Sequence, residues 1–595
     1  MESFAPYLDI AIRAARAAGD LLRADFHRPS GPRGEKDKAP ADTEAEQIIR
    51  GILLGANSDW GFLGEETGVV PGAKGAPVWV VDPNDGTRDY IKGRRGSSVS
   101  IALVADRRPV IGVVHPFGYP DDDGVMFSAA VGREGVWKNG APVSATLKMK
   151  TTLTETDVVL VSGGGDRAAR ANLMCTKPAR VMSIPSIAHR MALVAAGEGT
   201  ATTSLYSPRT WDFAAGHCLV LAAGGVVVDQ YGREPVYQDD GDGSASRLFV
   251  GARPVAMDLS TRNWDLAFRS ERETAMPIVR LRKGASVSDA RRLARAQGAL
   301  FGHLVGSALG AAYDPTHSNP EVDRFRASSV ANASQLRRMT AGQIGSAGEL
   351  AIATARSLVN HASDASNLKK MYAAWVGSTP SQSDRAIDAA VSGRPLPDSV
   401  SAMALVRVTP FAIWGYEADP VILASTVRAD TALTHPSPIA GDAAAGLAIL
   451  IQALLHEMDA LSSIDLTHAF ARRLGLSREV IDAISQAAVS PGDPAGPSGP
   501  NALAALQFTV FQLAHAPTFE AAINSALDID STSDALPSIL GGVMGARFGR
   551  DGVPARMRQL VMSSRTFEGL APRPRPSEYW ATDAMAMAEA LLTAR

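Results

Sequence analysis

Two domains of different class are predicted, an α/β layered domain followed by an all-helical one. Three observations carry that prediction. The chain of 595 residues is too long for a single hydrophobic core. Short β-branched runs alternate with helical stretches over the first 260 or so residues. From about Ala290 long Ala/Leu/Arg stretches with helical periodicity replace them. Residues 1–262 are assigned to the first domain, 263–289 to a connector and 290–595 to the second.

The opening segment, "MESFAPYLDIAIRAARAAGDLLRADF", spaces apolar and charged residues as an amphipathic helix does. Strands are expected at Val78–Val81, Ser98–Val104, Pro109–Val114, Asp157–Val161 and Gly224–Asp229. In "WKNGAPV" the pair Asn139-Gly140 sits between strand-like flanks, the signature of a tight hairpin. "SGGGD", from Ser162 to Asp166, reads as a flexible turn, with a phosphate loop as the alternative. In the second domain, helices are expected over stretches such as "DARRLARAQGALFGHLVGSALGAAY", "GELAIATARSLVNHA" and "GDAAAGLAILIQALLHEMDAL". Ser490–Pro500 is too rich in Pro and Gly to be anything but a surface loop.

Composition narrows the function. With 59 basic and 62 acidic residues the net charge is -3, which gives no electrostatic case for nucleic acid or a membrane surface as partner. A small ligand is expected instead. Two cysteines, Cys175 and Cys218, provide no disulfide framework and fit a reducing compartment. Glu2 and Asp9 make the N-terminus unlike a signal peptide. The longest apolar run, Ala443–Leu455, is too short to span a bilayer. A cytoplasmic protein is expected, its assembly left open, a homodimer included.

Chemistry enters at "VWVVDPNDGTRDY", where a buried strand runs into Asp82 and Asp85 across a turn stiffened by Pro83. Glu65 and Glu66 lie upstream in "GFLGEETG". Downstream, Asp212 opens a small-residue helix, and Asp42 stands just ahead of another. Hard divalent cations such as Mg²⁺ take carboxylate and carbonyl oxygens and leave positions for water and phosphate. A helix starting at Gly86-Thr87 would turn free N–H groups towards an anion. Paired ions with a phosphate between them are a common arrangement for hydrolysing phosphate esters.

Order, spacing and flanks together give a resemblance. "GEETG", "WVVDPNDGTRDYIKG", "SVSIALV", "GVVHP" and "WDFAAG…AAGG" resemble the inositol monophosphatase superfamily of Mg²⁺-dependent, lithium-sensitive phosphatases, from the first helix to about Tyr237. The resemblance implies alternating layers of helices and sheets and two or three Mg²⁺ ions. It implies Glu65, Asp82, Asp85 and Asp212 as metal-binding carboxylates, with Asn84 giving its backbone carbonyl. Gly86 and Thr87 would form the phosphate-binding turn. Thr87 and Asp42, with Glu65, would make up the catalytic set that orients and deprotonates water. Inositol-specific members carry a carboxylate where this chain has Leu205, and the phrasing of the last motif is more similar to the nucleotide branch. His189 and Arg209 are further candidates for contact with substrate, His189 equally readable as a helix-surface residue.

The helical half resembles the ADP-ribosylglycohydrolase family over roughly Ala290 to Leu570, in "GALFGHLVGSALGAAYD", "VRVTPFAIWGY" and "LDIDSTSDALPSILGGVMGARFG". Asp528, Asp530 and Ser531 then correspond to metal ligands, and Asp314 to a nearby acid of the substrate site. The family's first metal motif is degenerate here: Gly345, Ser346, Ala347 and Gly348 precede Glu349, and Ser307 stands at an acidic position. At most one Mg²⁺ is expected in this half. The leading expectation is a Mg²⁺-dependent phosphomonoesterase acting on a small nucleotide, ribose or sugar phosphate. The alternatives are a bifunctional enzyme that also cleaves a glycosidic bond, and a nucleotide-binding scaffold without turnover.

Overall fold

The computed structural model describes residues 4–243, 245–269, 278–312, 339–494, 501–529 and 533–595. Asp314, Asp530, Ser531, part of the connector and the end of the 490–500 loop lie outside them. The chain divides into two compact units, residues 1–276 with 281–290, and 277–280 with 291–595.

The first unit is built of alternating layers. Helices α1 (Ala5–Phe26) and α2 (Pro40–Ala56) cover one face of an eight-stranded sheet, to which β1 (Gly61–Gly64), β2 (Gly68–Val70), β3 (Val78–Asp85), β4 (Ser98–Ala105) and β5 (Arg108–His115) contribute. Its remaining strands are β6 (Phe127–Ala130) and the hairpin pair β7 (Trp137–Lys138) and β8 (Ala141–Pro142), giving the order β2-β1-β3-β4-β5-β6-β7-β8. The hairpin turns at Asn139 and Gly140, both with positive φ. A second sheet, of order β10-β9-β11-β13-β12, uses β9 (Val158–Val161), β10 (Arg180–Ser183), β11 (Ala201–Ser204), β12 (Val226–Val228) and β13 (Leu248–Gly251). Helices α5 (Ile187–Ala195) and α6 (Thr210–Ala222) pack together, α6 on the first sheet and α5 on the second. Between β3 and these lie the single turn α3 (Thr87–Tyr90) and α4 (Ala169–Thr176), with α7 (Arg253–Thr261) and α8 (Leu266–Arg269) closing the unit. The Gly163–Ala168 stretch forms a 3₁₀ helix rather than a simple turn.

β3 and β4 are buried along their whole length, which explains why they read as continuous apolar runs instead of alternating ones. Trp79, Val81, Ile101 and Leu103 meet Leu8, Ala15, Ala18 and Ile49 from the helices in one core. Burying each of the larger side chains contributes about 1.5–3 kcal/mol.

The second unit is almost entirely helical. Its longest helix among the described residues, α9 (Ala290–Ala312), lies against the helix Ala535–Gly552 with backbones nearly touching. A Cβ on Gly302 would fall 2.0 Å from the Gly541 carbonyl oxygen, and one on Gly541 would fall 2.1 Å from that of Gly302. Only glycine allows that approach. The helix Pro438–Leu455 passes a membrane-span test by length and composition, yet 89% of it is buried within the unit. It is a central core helix, extending five residues ahead of the apolar run recognised in the sequence.

Candidate functional site

A strand alternates its side chains between two faces, so Asp82 and Asp85, three positions apart, should point opposite ways. A bulge prevents this. Asp82 pairs with Ser100 and Asp85 with Ser98, so β3 carries one residue more than β4 between these pairs. The extra residue returns both carboxylates to one side, and Asp212 joins them from the first turn of α6. Oxygens of Asp82, Asp85 and Asp212 lie within 4.8 Å of one another.

Each acid is held. Asp82 accepts the Asn84 N–H at 2.8 Å. Asp85 accepts the Ser186 hydroxyl at 2.6 Å and the Ala188 N–H at 2.7 Å, both from the start of α5. The Arg209 N–H donates to Asp212 at 2.8 Å. Glu65 lies at the solvent-facing rim beside Asp82, its N–H bonded to the Val81 carbonyl at 3.1 Å. Burial, and after it repulsion among the acids, drives Asp82 and Asp212 well above the usual carboxylate range. Desolvation likewise pushes Glu65 up to about 7. Buried Arg190 offsets part of the same penalty at Asp85.

Asp42 is buried at the start of α2 and accepts the Asn84 side-chain N–H at 2.9 Å and the Thr87 hydroxyl at 2.8 Å. Burial pushes it up to about 7. The Thr87 hydroxyl also lies 3.0 Å from the Asn84 carbonyl, the oxygen expected to serve a metal. Gly86, at φ 105°, makes the sharp entry to α3, and a Cβ there would press on Ser97 at 3.2 Å. Because α3 is a single turn of four residues, its dipole is small, and an anion at this turn would have only local N–H groups to meet it.

The donor set fits Mg²⁺. It consists of oxygens alone, its like charges stand close enough to raise one another, and the buried side-chain oxygen of Asn84 has no hydrogen-bond partner. Among the other expected residues, His189 is buried rather than on the helix surface. Its Nδ1 faces the Gly96 carbonyl at 3.2 Å and its ring meets Tyr119 edge-on. Burial lowers it to about 4. Arg209 is exposed, with its guanidinium over the Trp211 ring.

Two supporting residues escaped the sequence reading. Glu46, one helical turn after Asp42, is fully buried and accepts the N–H groups of Glu66 at 2.8 Å and Thr67 at 2.7 Å, holding the turn that carries Glu65. Ser186 caps α5 while bonding Asp85, a role its Ser-x-x-His spacing at a helix start could have signalled.

In the second unit, Asp528 alone of the expected cluster lies among the described residues. Asp528 sits exposed in the last turn of the helix Phe519–Ile529, whereas Asp534, at the head of the next helix, turns inward to Ser307. Ser307 donates to Asp534 at 2.6 Å and accepts the N–H groups of Gly345 and Gly348, both at 3.0 Å. Ala347 N–H reaches the same Asp534 oxygen at 3.0 Å. The serine hydroxyl thus has its donor and both lone pairs engaged. Glu349 is tied bidentately to Arg575, with both contacts 2.7 Å, and accepts the Trp375 indole N–H at 3.0 Å. His435 is buried beside Thr434 and Asp384 in the loop before the helix Pro438–Leu455, a structural placement.

The layered fold and the converging acids define a metal-dependent phosphoric monoester hydrolase. The chain belongs to the inositol monophosphatase family over residues 4–259 and to the ADP-ribosylglycohydrolase family over residues 288–589. It is similar to inositol monophosphatase 2 of Solanum lycopersicum, 31% identical over 243 residues, 38% of this chain and 89% of the relative. It is also similar to the Nus factor SuhB of Escherichia coli strain K12, 30% identical over 240 residues, 38% of this chain and 85% of the relative. Among solved structures, the extragenic suppressor protein suhB of Bartonella henselae is 25% identical and covers 44% of this chain and 100% of its own, with a TM-score of 0.35.

Proposed function

We propose that residues 1–262 form a phosphomonoesterase that takes the phosphate of a small nucleotide, ribose or sugar ester, with Mg²⁺ as its metal. The convergence of Asp82, Asp85 and Asp212 carries this reading. Those three acids with Glu65 would hold the ions. Bound Mg²⁺ supplies positive charge against the phosphoryl oxygens and acidifies water. Thr87 donates its hydroxyl proton towards Asp42, which, near neutrality, can accept it, and this leaves the Thr87 oxygen free to take a proton from an attacking water. Asn84 keeps Asp42 in register through its side-chain amide. The Gly86-Thr87 turn holds the phosphate.

The test is phosphate release from a panel of nucleotide, sugar and inositol phosphates, with and without Mg²⁺. Asp85→Asn is expected to abolish release; equal activity of wild type and variant would refute the reading.

For the helical unit we infer a binding or structural role without glycosidic turnover. Among the described residues, two that stand at or beside the degenerate metal motif are engaged by the chain itself: Ser307 by Asp534 and two backbone N–H groups, Glu349 by Arg575. Metal-dependent release of free ADP-ribose from an ADP-ribosylated substrate would overturn this.

A further inference from the structure

A cleft of about 410 Å³ in the first unit is lined by Leu205, Tyr206, Ser207, Arg247, Asp265 and Phe268. Its walls are aromatic and cationic. Tyr206 is 70% exposed and meets Phe268, 41% exposed, edge to face at 5.4 Å between centroids. The Arg247 guanidinium lies over the Phe268 ring at 5.2 Å and is steadied by Asp265 at 3.2 Å. Large aromatic side chains seldom stay this exposed as neighbours without a ligand to cover them.

The cleft stands next to the acidic cluster. Ser207 is two residues before Arg209, so their Cα atoms are at most about 7 Å apart. The Arg209 N–H touches the Asp212 carboxylate at 2.8 Å. The far end of a phosphate ester held at Asp212 would have these rings within reach. A flat aromatic group suits them: it can stack on Tyr206 or Phe268 and take the planar guanidinium of Arg247 against its face or edge. Leu205 adds an apolar edge to the same cleft.

We propose that Tyr206, Phe268 and Arg247 form the base-recognition subsite of the phosphatase, which makes its substrate class nucleoside monophosphates. The proposal rests on the phosphatase reading above and narrows it.

The test compares kcat/KM for adenosine 5′-monophosphate with that for ribose 5-phosphate, which lacks the base. Wild type is expected to favour the nucleotide by about five- to a hundredfold, the range that stacking of one base provides. In the double variant Tyr206→Ala/Phe268→Ala the ratio falls towards one through a raised KM. Tyr206→Phe, which keeps the ring, retains the preference. A wild-type ratio near one, or an unchanged ratio in the double variant, overturns the proposal while leaving the phosphatase intact. If wild type releases phosphate from neither ester, the subsite is judged by calorimetric binding of adenosine 5′-monophosphate to the full chain with Mg²⁺, and the phosphatase reading fails only if the whole panel above is also inert. Binding that the double variant loses upholds it; absence of binding overturns it.

Discussion

Replacing Asp534 by asparagine should stabilise the helical unit at neutral pH. Asp534 is 2% exposed, and burial raises its carboxyl from 3.8 to about 6 despite the donors from Ser307 and Ala347. The folded state therefore binds this proton more tightly than the unfolded chain does. Its contribution to stability is complete below pH 3.8, is lost as the pH rises towards 6, and is absent above that. At about 1.36 kcal/mol per pKa unit the penalty at pH 7.5 is about 3 kcal/mol. Asparagine keeps an oxygen for the Ser307 hydroxyl and the Ala347 N–H but carries no charge. Asp534→Asn should then gain up to about 3 kcal/mol at pH 7.5 and little at pH 4. Urea unfolding of both proteins at several pH values, in a chelating buffer, reads the difference directly. A difference that does not vary between pH 4 and 7.5, or a variant less stable at pH 7.5, refutes the reasoning. So would an Mg²⁺-dependent rise in the wild-type midpoint of this unit, since an ion would then be countering the charge.

Glu46→Ala should leave the Glu66 and Thr67 N–H groups unmet and raise the Mg²⁺ concentration for half-maximal phosphate release by about tenfold or more, as changes behind metal ligands do; an unchanged Mg²⁺ titration refutes it. Gly302→Ala should cost at least about 1–3 kcal/mol in thermal unfolding, because its methyl group would meet the Gly541 carbonyl. A wild-type midpoint would show that the helices separate freely. Arg575→Met should cost about 3–5 kcal/mol by leaving buried Glu349 unpaired, and adding Glu349→Gln should recover part of it; a double variant no more stable than the single one argues against the pair.

The strands of the first unit were legible because burial on both faces writes long β-branched runs, as in Val78–Val81 and Ser98–Val104. Asp82 and Asp85 drew notice through the proline between them, but the bulge that brings them to one face depends on how β4 pairs, which no local pattern records. Glu46 was discoverable in principle, four residues from Asp42 on the same helical face. His189 was hard to place because burial on helix α5 is decided by Gly96 and Tyr119, far away in sequence. In "DIDSTSD" three aspartates compete, and composition favours the first two as a pair. That Asp534 turns inward is settled by where the next helix begins and by a serine on α9.

That serine and its aspartate are separated by 227 positions. A ribosome adding about 5–20 residues per second needs roughly ten to forty-five seconds to travel between them. Until it does, α9 must wait with its row of glycines bare and its hydroxyl proton without an acceptor on Asp534. The helical half can therefore complete itself only once the helix Ala535–Gly552 has been made, long after the layered half has emerged with every one of its acidic side chains already made.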